Sequence, residues 1–148
     1  MTRTDGMEIL VPVDDSEPAR NALEYACSTF PDSTILLLTV TEPAAPDPYT
    51  SMTSGESSES EVESQREQSE SEALFDELVS TAEDYDVTVE TDDRTGDVVE
   101  TIVTVAETAD VDQVVIGSHG RTGTSRLVLG STAEHVVRQL DIPVTVVP

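Results

Sequence analysis

The feature that most constrains this chain is a series of short apolar blocks with little polar interruption. Met7–Val13 (MEILVPV), Thr34–Val40 (TILLLTV), Gln113–Ile116 (QVVI) and Pro143–Val147 (PVTVV) each read as a buried strand. A strand that is apolar on both faces has to be covered on both faces. Such strands belong to parallel sheets whose crossover helices lie above and below. The intervening segments have helical periodicity. After Met7–Val13, Asp14-Asp15-Ser16 supplies turn and N-cap chemistry, and Pro18 suits a first helical turn. Ala19, Ala22, Leu23, Ala26, Cys27 and Phe30 then follow at alternating steps of three and one, which makes one helical stripe.

A second helix carries Leu74, Leu78, Ala82 and Tyr85, and a short alternating strand, Val87–Thr91, is expected at an edge. Gly96-Asp97 opens a third helix with Val98, Ile102, Val105, Ala106 and Ala109 on one face. A fourth helix near Ser131–Leu140 turns Val136, Val137 and Leu140 inward. The 148 residues form one α/β domain. Strands and helices alternate, except across Thr41–Ser71. That stretch is rich in Ser, Glu, Pro and Thr and nearly lacks large apolar groups, so it reads as a flexible acidic insert. A doubly wound sheet of this kind has a switch point, and ligands sit there beyond the strand carboxyl ends. The first and fourth strands are the candidates to flank it, because each ends in an unusual polar or Gly-rich loop.

Charge narrows the partners. There are 31 acidic residues against 7 basic, a net charge of −24, and every basic residue is Arg. Such a surface repels nucleic acid and anionic membranes, so neither is an expected partner. Acid excess without Lys reads as a halophile's cytoplasmic protein. Cys27 stands alone and falls on an apolar stripe, which excludes an intrachain disulfide or a cysteine metal site. The opening MTRTDGMEIL lacks the apolar stretch of a signal peptide, and the longest purely apolar run, Ile35–Leu38, is too short to span a bilayer. A soluble, cytoplasmic location is expected.

Against this background, Gln113–Ala133 has no Asp or Glu over 21 residues, although about one residue in five of the chain is acidic. It holds Gly117, Gly120, Gly123 and Gly130, with His119, Arg121, Arg126 and several hydroxyl side chains. Glycines let backbone N–H groups approach a phosphate. Gly130-Ser131 would lie at a helix start, where unpaired N–H groups favour anions. A flexible Gly/Ser/Thr loop with surface arginines is the alternative, and the acid gap, the strand before and the helix after favour phosphate over it. The segment is neither a Walker A loop nor a Gly-x-Gly-x-x-Gly fingerprint. His119 and His135 are too isolated to suggest a metal pair, and Ser16 and Ser131 have no His/Asp partners for a hydrolase triad. No catalytic residue and no protein metal site are expected.

Gly117-Ser118-His119-Gly120, nine residues (RTGTSRLVL) and Gly130-Ser131 resemble the Gly-x2-Gly-x9-Gly-[Ser/Thr] motif of the universal stress protein family. ILVPVDDSEPARNALEYA resembles that family's opening strand, Asp and helix. VDQVVIGSHGRTGTSRLVLGSTAEHVVRQLDIPVTVVP resembles its C-terminal third. The resemblance, to the ATP-binding branch and to a halophilic archaeon-like source, covers the chain except Thr41–Ser71. It implies a Rossmann-like five-stranded parallel sheet in order 3-2-1-4-5. It also implies an ATP or AMP site across the first and fourth strands, with Mg2+ accompanying the phosphates. Asp14 would serve the ribose or a metal-bound water. Pro12 and Val13 would line the adenine pocket, and Val40 would offer backbone contacts to the base. Gly117, Ser118, His119, Gly120 and Arg121 would wrap ribose and phosphates. Gly130, Ser131, Thr132 and Ala133 would present donors, although Ala133 lacks the hydroxyl that some nucleotide-binding relatives have there.

From the residues alone, Asp14 or Asp15 reads equally as a helix cap. The family resemblance further implies a homodimer through the last strand, which is short, apolar and an edge candidate. The expected role is a stress-response or regulatory module that binds a nucleotide. A slow ATPase or adenylate-processing enzyme, and a ligand-free dimeric interaction module, are the alternatives.

The charge pattern makes a prediction. At molar salt the Debye length falls to about 3 Å, which removes most self-repulsion. The melting temperature should therefore rise between low and molar KCl; a flat or falling trend would overturn the halophilic reading.

Overall fold

The computed structural model describes residues 6–43, 71–119 and 129–148. Five strands are present: β1 (Glu8–Pro12), β2 (Thr34–Thr41), β3 (Thr88–Thr95), β4 (Gln113–Gly117) and β5 (Val144–Val147). The helices are α1 (Glu17–Thr29), α2 (71–82), α3 (Val98–Thr108) and α4 (Ser131–Gln139). The strands form one parallel sheet in the order β3-β2-β1-β4-β5. This is the order that the resemblance implied. The expected 41–71 insert falls mainly on residues outside those described; Thr41 ends β2, and residue 71 is helical.

Side chains alternate across the sheet because the strand period is two. Ile9, Val11, Val13, Ile35, Leu37 and Val115 join a cluster with Ala22, Leu23, Ala26 and Cys27 of α1 and with Leu78 and Ala82 of α2. Leu10, Leu38, Val114 and Ile116 join Ile102, Val105 and Ala106 of α3 and Ala133 and Val136 of α4 on the opposite face. The two cores follow from topology. The crossovers through α1 and α2 step the chain one way along the sheet, and those through α3 and α4 step it back. Right-handed crossovers in opposite directions put their helices on opposite faces.

Local chemistry sets the helix ends. Ser16 caps α1, its Oγ accepting from the Ala19 N–H at 3.2 Å, and the proline falls in the first turn. Asp97 caps α3 by accepting from the Glu100 N–H at 2.9 Å. Each such cap satisfies an otherwise unpaired helix donor and stabilises by about 1 kcal/mol.

Four sequence expectations need correction. β3 runs to Thr95 rather than Thr91. Its last residues, Asp92–Thr95, are polar, yet they pair in register with Leu38–Thr41 of β2. Backbone pairing, not an apolar pattern, extends this edge strand. Tyr85 lies beyond α2 in a turn, its N–H donating to the Ala82 carbonyl at 2.9 Å, although its ring still packs on the core. Ala109 is exposed at the C-cap of α3. Val137 is 42% exposed. Ala133, Val136 and Leu140 already make the contact stripe of α4, and no described element lies beyond β5 to cover a flanking side chain.

Cys27 is buried among the α1 contacts, and that burial pushes its thiol up to about 11. Gly117, at the end of β4, sits against the first turn of α1. A Cβ there would lie 2.9 Å from the Pro18 carbonyl carbon and Cβ, and 3.0 Å from the Ala19 nitrogen. These are mostly backbone atoms and cannot step aside. Gly117→Val should therefore cost about 2 kcal/mol, as overpacking of this kind does. Reaction of Cys27 with a thiol reagent at pH 8 checks it, because the buried thiol reacts only on opening. The variant should label about thirtyfold faster than wild type, the ratio that 2 kcal/mol sets; equal rates would refute the contact.

Candidate functional site

The direction of winding reverses between β1 and β4. The chain leaving β1 turns to one face and the chain leaving β4 turns to the other, so a crevice opens between their carboxyl ends. The structure has a cavity of about 490 Å³ there. Pro12 ends β1, Val13, Asp14 and Ser16 come from the β1–α1 connection, Ala19 from α1, and Leu38, Val40 and Glu42 from β2 and its exit. Val98 and Ile102 come from α3, Ile116, Gly117 and His119 from β4 and its exit, and Gly130, Ser131, Thr132 and Ala133 from the start of α4.

The walls differ in character. On the β2 and α3 side they are mostly apolar: Leu38, Val40, Val98 and Ile102. On the β4 and α4 side they carry glycines, two hydroxyl residues and an imidazole. Helix α4 begins there with Gly130 as its N-cap and no side-chain cap bond, unlike α1 and α3. Its first-turn N–H groups and the positive end of its dipole are thus directed at the cavity. The charged side chains among the described lining residues are Asp14 and Glu42, both acidic.

Short backbone contacts hold the two described ends of the β4–α4 connection. The Ser118 N–H donates to the Val147 carbonyl at 2.7 Å, and the Gly130 N–H donates to the Ser118 carbonyl at 2.6 Å. A Cβ on Gly130 would lie 2.7 Å from that carbonyl oxygen and 2.9 Å from the His119 Cα. Glycine is the residue that permits this approach. The Ser118 hydroxyl lies 3.1 Å from His119 Nδ1.

Of the thirteen residues singled out from the sequence, Pro12, Val13, Asp14, Val40, Gly117, His119, Gly130, Ser131, Thr132 and Ala133 line this cavity. Ser118 does not; it is buried, and its backbone pairs with Val147 and Gly130. Gly120 and Arg121 lie outside the described residues. Sequence reasoning missed Ser16, Ala19, Leu38, Glu42, Val98, Ile102 and Ile116 as lining residues. Most of these are core or cap residues in the sequence pattern, and only the fold brings their edges to the crevice. Glu42 stood at the start of the Ser/Glu-rich stretch, with no local signal to set it apart.

No group of three or more His, Cys, Asp or Glu side chains that could hold a metal occurs among the described residues. No described helix is long and apolar enough to cross a membrane.

Comparison with known proteins agrees with this architecture. The universal stress protein MJ0577 of Methanocaldococcus jannaschii is 44% identical over 48 residues, 32% of this chain and 30% of that protein. MJ0531 of the same organism is 39% identical over 66 residues, 45% of this chain and 39% of that protein. These matched stretches span less than half the length of either relative. The solved structure of MJ0577 superposes with a TM-score of 0.78 and 30% identity, covering 95% of this chain and 94% of that one. The fold is shared with a universal stress protein family protein of Arabidopsis thaliana that has AMP bound, at a TM-score of 0.65, 20% identity and coverage of 95% and 90%. It is also shared with a universal stress protein in complex with cAMP, at a TM-score of 0.67, 18% identity and 97% coverage of both chains. The family model described as the Universal stress protein family matches residues 7–148, and the chain belongs to that family.

Proposed function

We propose that this protein binds an adenine nucleotide, ATP or AMP, in the crevice between β1 and β4, and acts as a stress-response or regulatory module through its bound state. One observation carries the reading. Ten residues chosen for nucleotide chemistry, drawn from four separate stretches of chain, line a single cavity at the switch point of the sheet. At about 490 Å³ the cavity is of ordinary ligand-site size. Its apolar side suits a base. Its α4 side, with backbone N–H groups and the Ser131 and Thr132 hydroxyls, suits phosphate. The AMP and cAMP held by the two relatives support the same ligand class.

Mg2+ would enter with the phosphates. It usually takes one or two carboxylates and keeps most of its waters, and Asp14 is a suitable carboxylate. Asp14 otherwise serves the ribose, Pro12, Val13 and Val40 the base, and Gly117 and His119 the ribose–phosphate junction. Ser118 contributes through its backbone pairing with Val147 and Gly130. Gly120 and Arg121 complete the loop in this reading. The setting is a halophile's cytoplasm.

Calorimetric titration with Mg-ATP and with AMP in molar KCl tests the proposal. Saturable 1:1 binding is expected. Thr132→Val keeps shape but removes a hydroxyl, and should weaken binding about tenfold, the size of a lost hydrogen bond to a charged group. Absence of binding to either nucleotide would overturn the reading.

The edge strand β5 supports a homodimer. All four of its residues are half-buried and its outer edge is unpaired within the described chain, which leaves backbone groups ready for a second strand. Size exclusion with light scattering in molar KCl should give twice the 15.9 kDa chain mass. A clean monomer at micromolar concentration would count against it.

A further inference from the structure

Three arginines have described side-chain partners. Two pair locally: Arg94 with Asp92, and Arg138 with Glu134 one helical turn away. Arg20 differs, because it reaches across 57 residues of sequence. Its Nε donates to Glu77 Oε1 at 3.2 Å, and its Nη2 donates to Glu77 Oε2 at 2.9 Å. The same Nη2 donates to Asp15 Oδ1 at 2.5 Å, and Nη1 donates to the Ser16 carbonyl at 3.3 Å. One guanidinium therefore joins α2 to two consecutive residues of the β1–α1 connection.

The location is unusual for a cation. Arg20 is in the first turn of α1, where the helix dipole disfavours positive charge. A basic residue there needs local compensation, and Asp15 and Glu77 supply it. Glu77 responds in kind: its hydrogen bond from Arg20 holds the carboxyl below the usual range. The planar fork of Arg suits this two-sided contact in a way that a point charge would not.

The segment it grips forms part of the cavity wall. Asp14 and Ser16 line the cavity, and Asp15 lies between them. Ser16 also caps α1 through the Ala19 N–H, and the Arg20 N–H donates to the Ser16 carbonyl. Fixing Asp15 and the Ser16 carbonyl thus fixes the course of the chain at Asp14.

We infer that Arg20 is a positioning residue for the nucleotide site: from outside the cavity it clamps the Asp14–Ser16 turn to α2 and so sets where the Asp14 carboxylate stands. The inference rests on the proposed nucleotide reading for its effect on affinity. The clamp itself is independent of that reading. Arg20 touches no ligand in this scheme. It acts by limiting the conformations of the turn before the ligand arrives, which is preorganisation.

A double-mutant cycle at fixed molar KCl tests it. Arg20→Gln and Asp15→Asn should each weaken AMP binding roughly tenfold, within the range by which residues without ligand contact modulate coupling. The double variant should be no worse than Arg20→Gln alone, because in this scheme Asp15 acts through Arg20. Asp15 is exposed, so Asp15→Asn keeps the test usable if Arg20→Gln folds poorly.

A charge swap, Arg20→Glu with Glu77→Arg, separates positioning from simple helix docking. It restores an α1–α2 pair but sets Glu against Asp15. Thermal stability should recover while affinity stays low; recovery of both would overturn the inference. A ligand-free readout guards against failure of the nucleotide reading itself. Amide exchange at Ala19 and Arg20 should accelerate severalfold in Arg20→Gln and in Asp15→Asn. Unchanged exchange would overturn the clamp, whether or not wild type binds nucleotide.

Discussion

Everything in this structure follows from strands that cannot face water on either side. Ile9, Leu10, Val11, Ile35, Leu37, Leu38, Val114 and Val115 are fully buried and divide between two cores. Each core needs its own helix layer. To lay helices on both faces with right-handed crossovers, the chain has to wind one way from β1 and then return past it. The crevice between β1 and β4 is thus a product of two-sided burial, and the cavity needs no special device to exist. What the sequence adds is the lining: apolar ends from β2 and α3, and a polar helix start from α4.

The same separation explains how so acidic a chain folds. The buried polar residues among those described are Ser16, Ser33, Thr39, Gln113 and Ser118, and none is charged. The acid excess is carried outside the cores, where salt can screen it. The described ion pairs lie at the surface, where an isolated pair contributes little. The Arg20 pairs differ in where they reach, from α2 to the β1–α1 connection, rather than in energy.

How far residues announce these roles depends on which interaction decides them. Strands β1, β2 and β4 were legible because two-sided burial writes an apolar run, and the half-buried edge strand β5 because its residues are mostly apolar. The start of α1 was legible because capping chemistry is local. The far half of β3 was not: Asp92–Thr95 are held by backbone bonds to β2, which leave no mark on side-chain type. Val137 was misread because a helical stripe tells which residues could face in, whereas its width depends on what the helix packs against. At the site, the acid-free stretch and the glycine spacing pointed to six lining positions, and the family resemblance added Pro12, Val13, Asp14 and Val40. Leu38, Ile102 and Ile116 were invisible there, because the same side chains serve core and cavity. Ser118 is buried and absent from the lining, and a loop's spacing does not reveal which of its residues turn back to pair with neighbouring backbone.

Gly117 and Gly130 each have a packing role apart from any phosphate. Gly117 is kept small by Pro18 and Ala19 of α1, and Gly130 by Ser118 and His119. Protein packing alone explains both. Yet the packing at Gly130 has a chemical consequence. The N-cap position is where a Ser, Thr, Asp or Asn side chain would ordinarily satisfy a first-turn N–H, as Ser16 does for α1 and Asp97 for α3. At residue 130 no such side chain fits, because even a Cβ would strike the Ser118 carbonyl. The close approach of Gly130 to Ser118 therefore denies α4 a side-chain cap. Its donors are left open, and they open onto the cavity. An anion-ready helix end is what this close approach produces, which is why the fold and the proposed ligand chemistry meet at the same glycine.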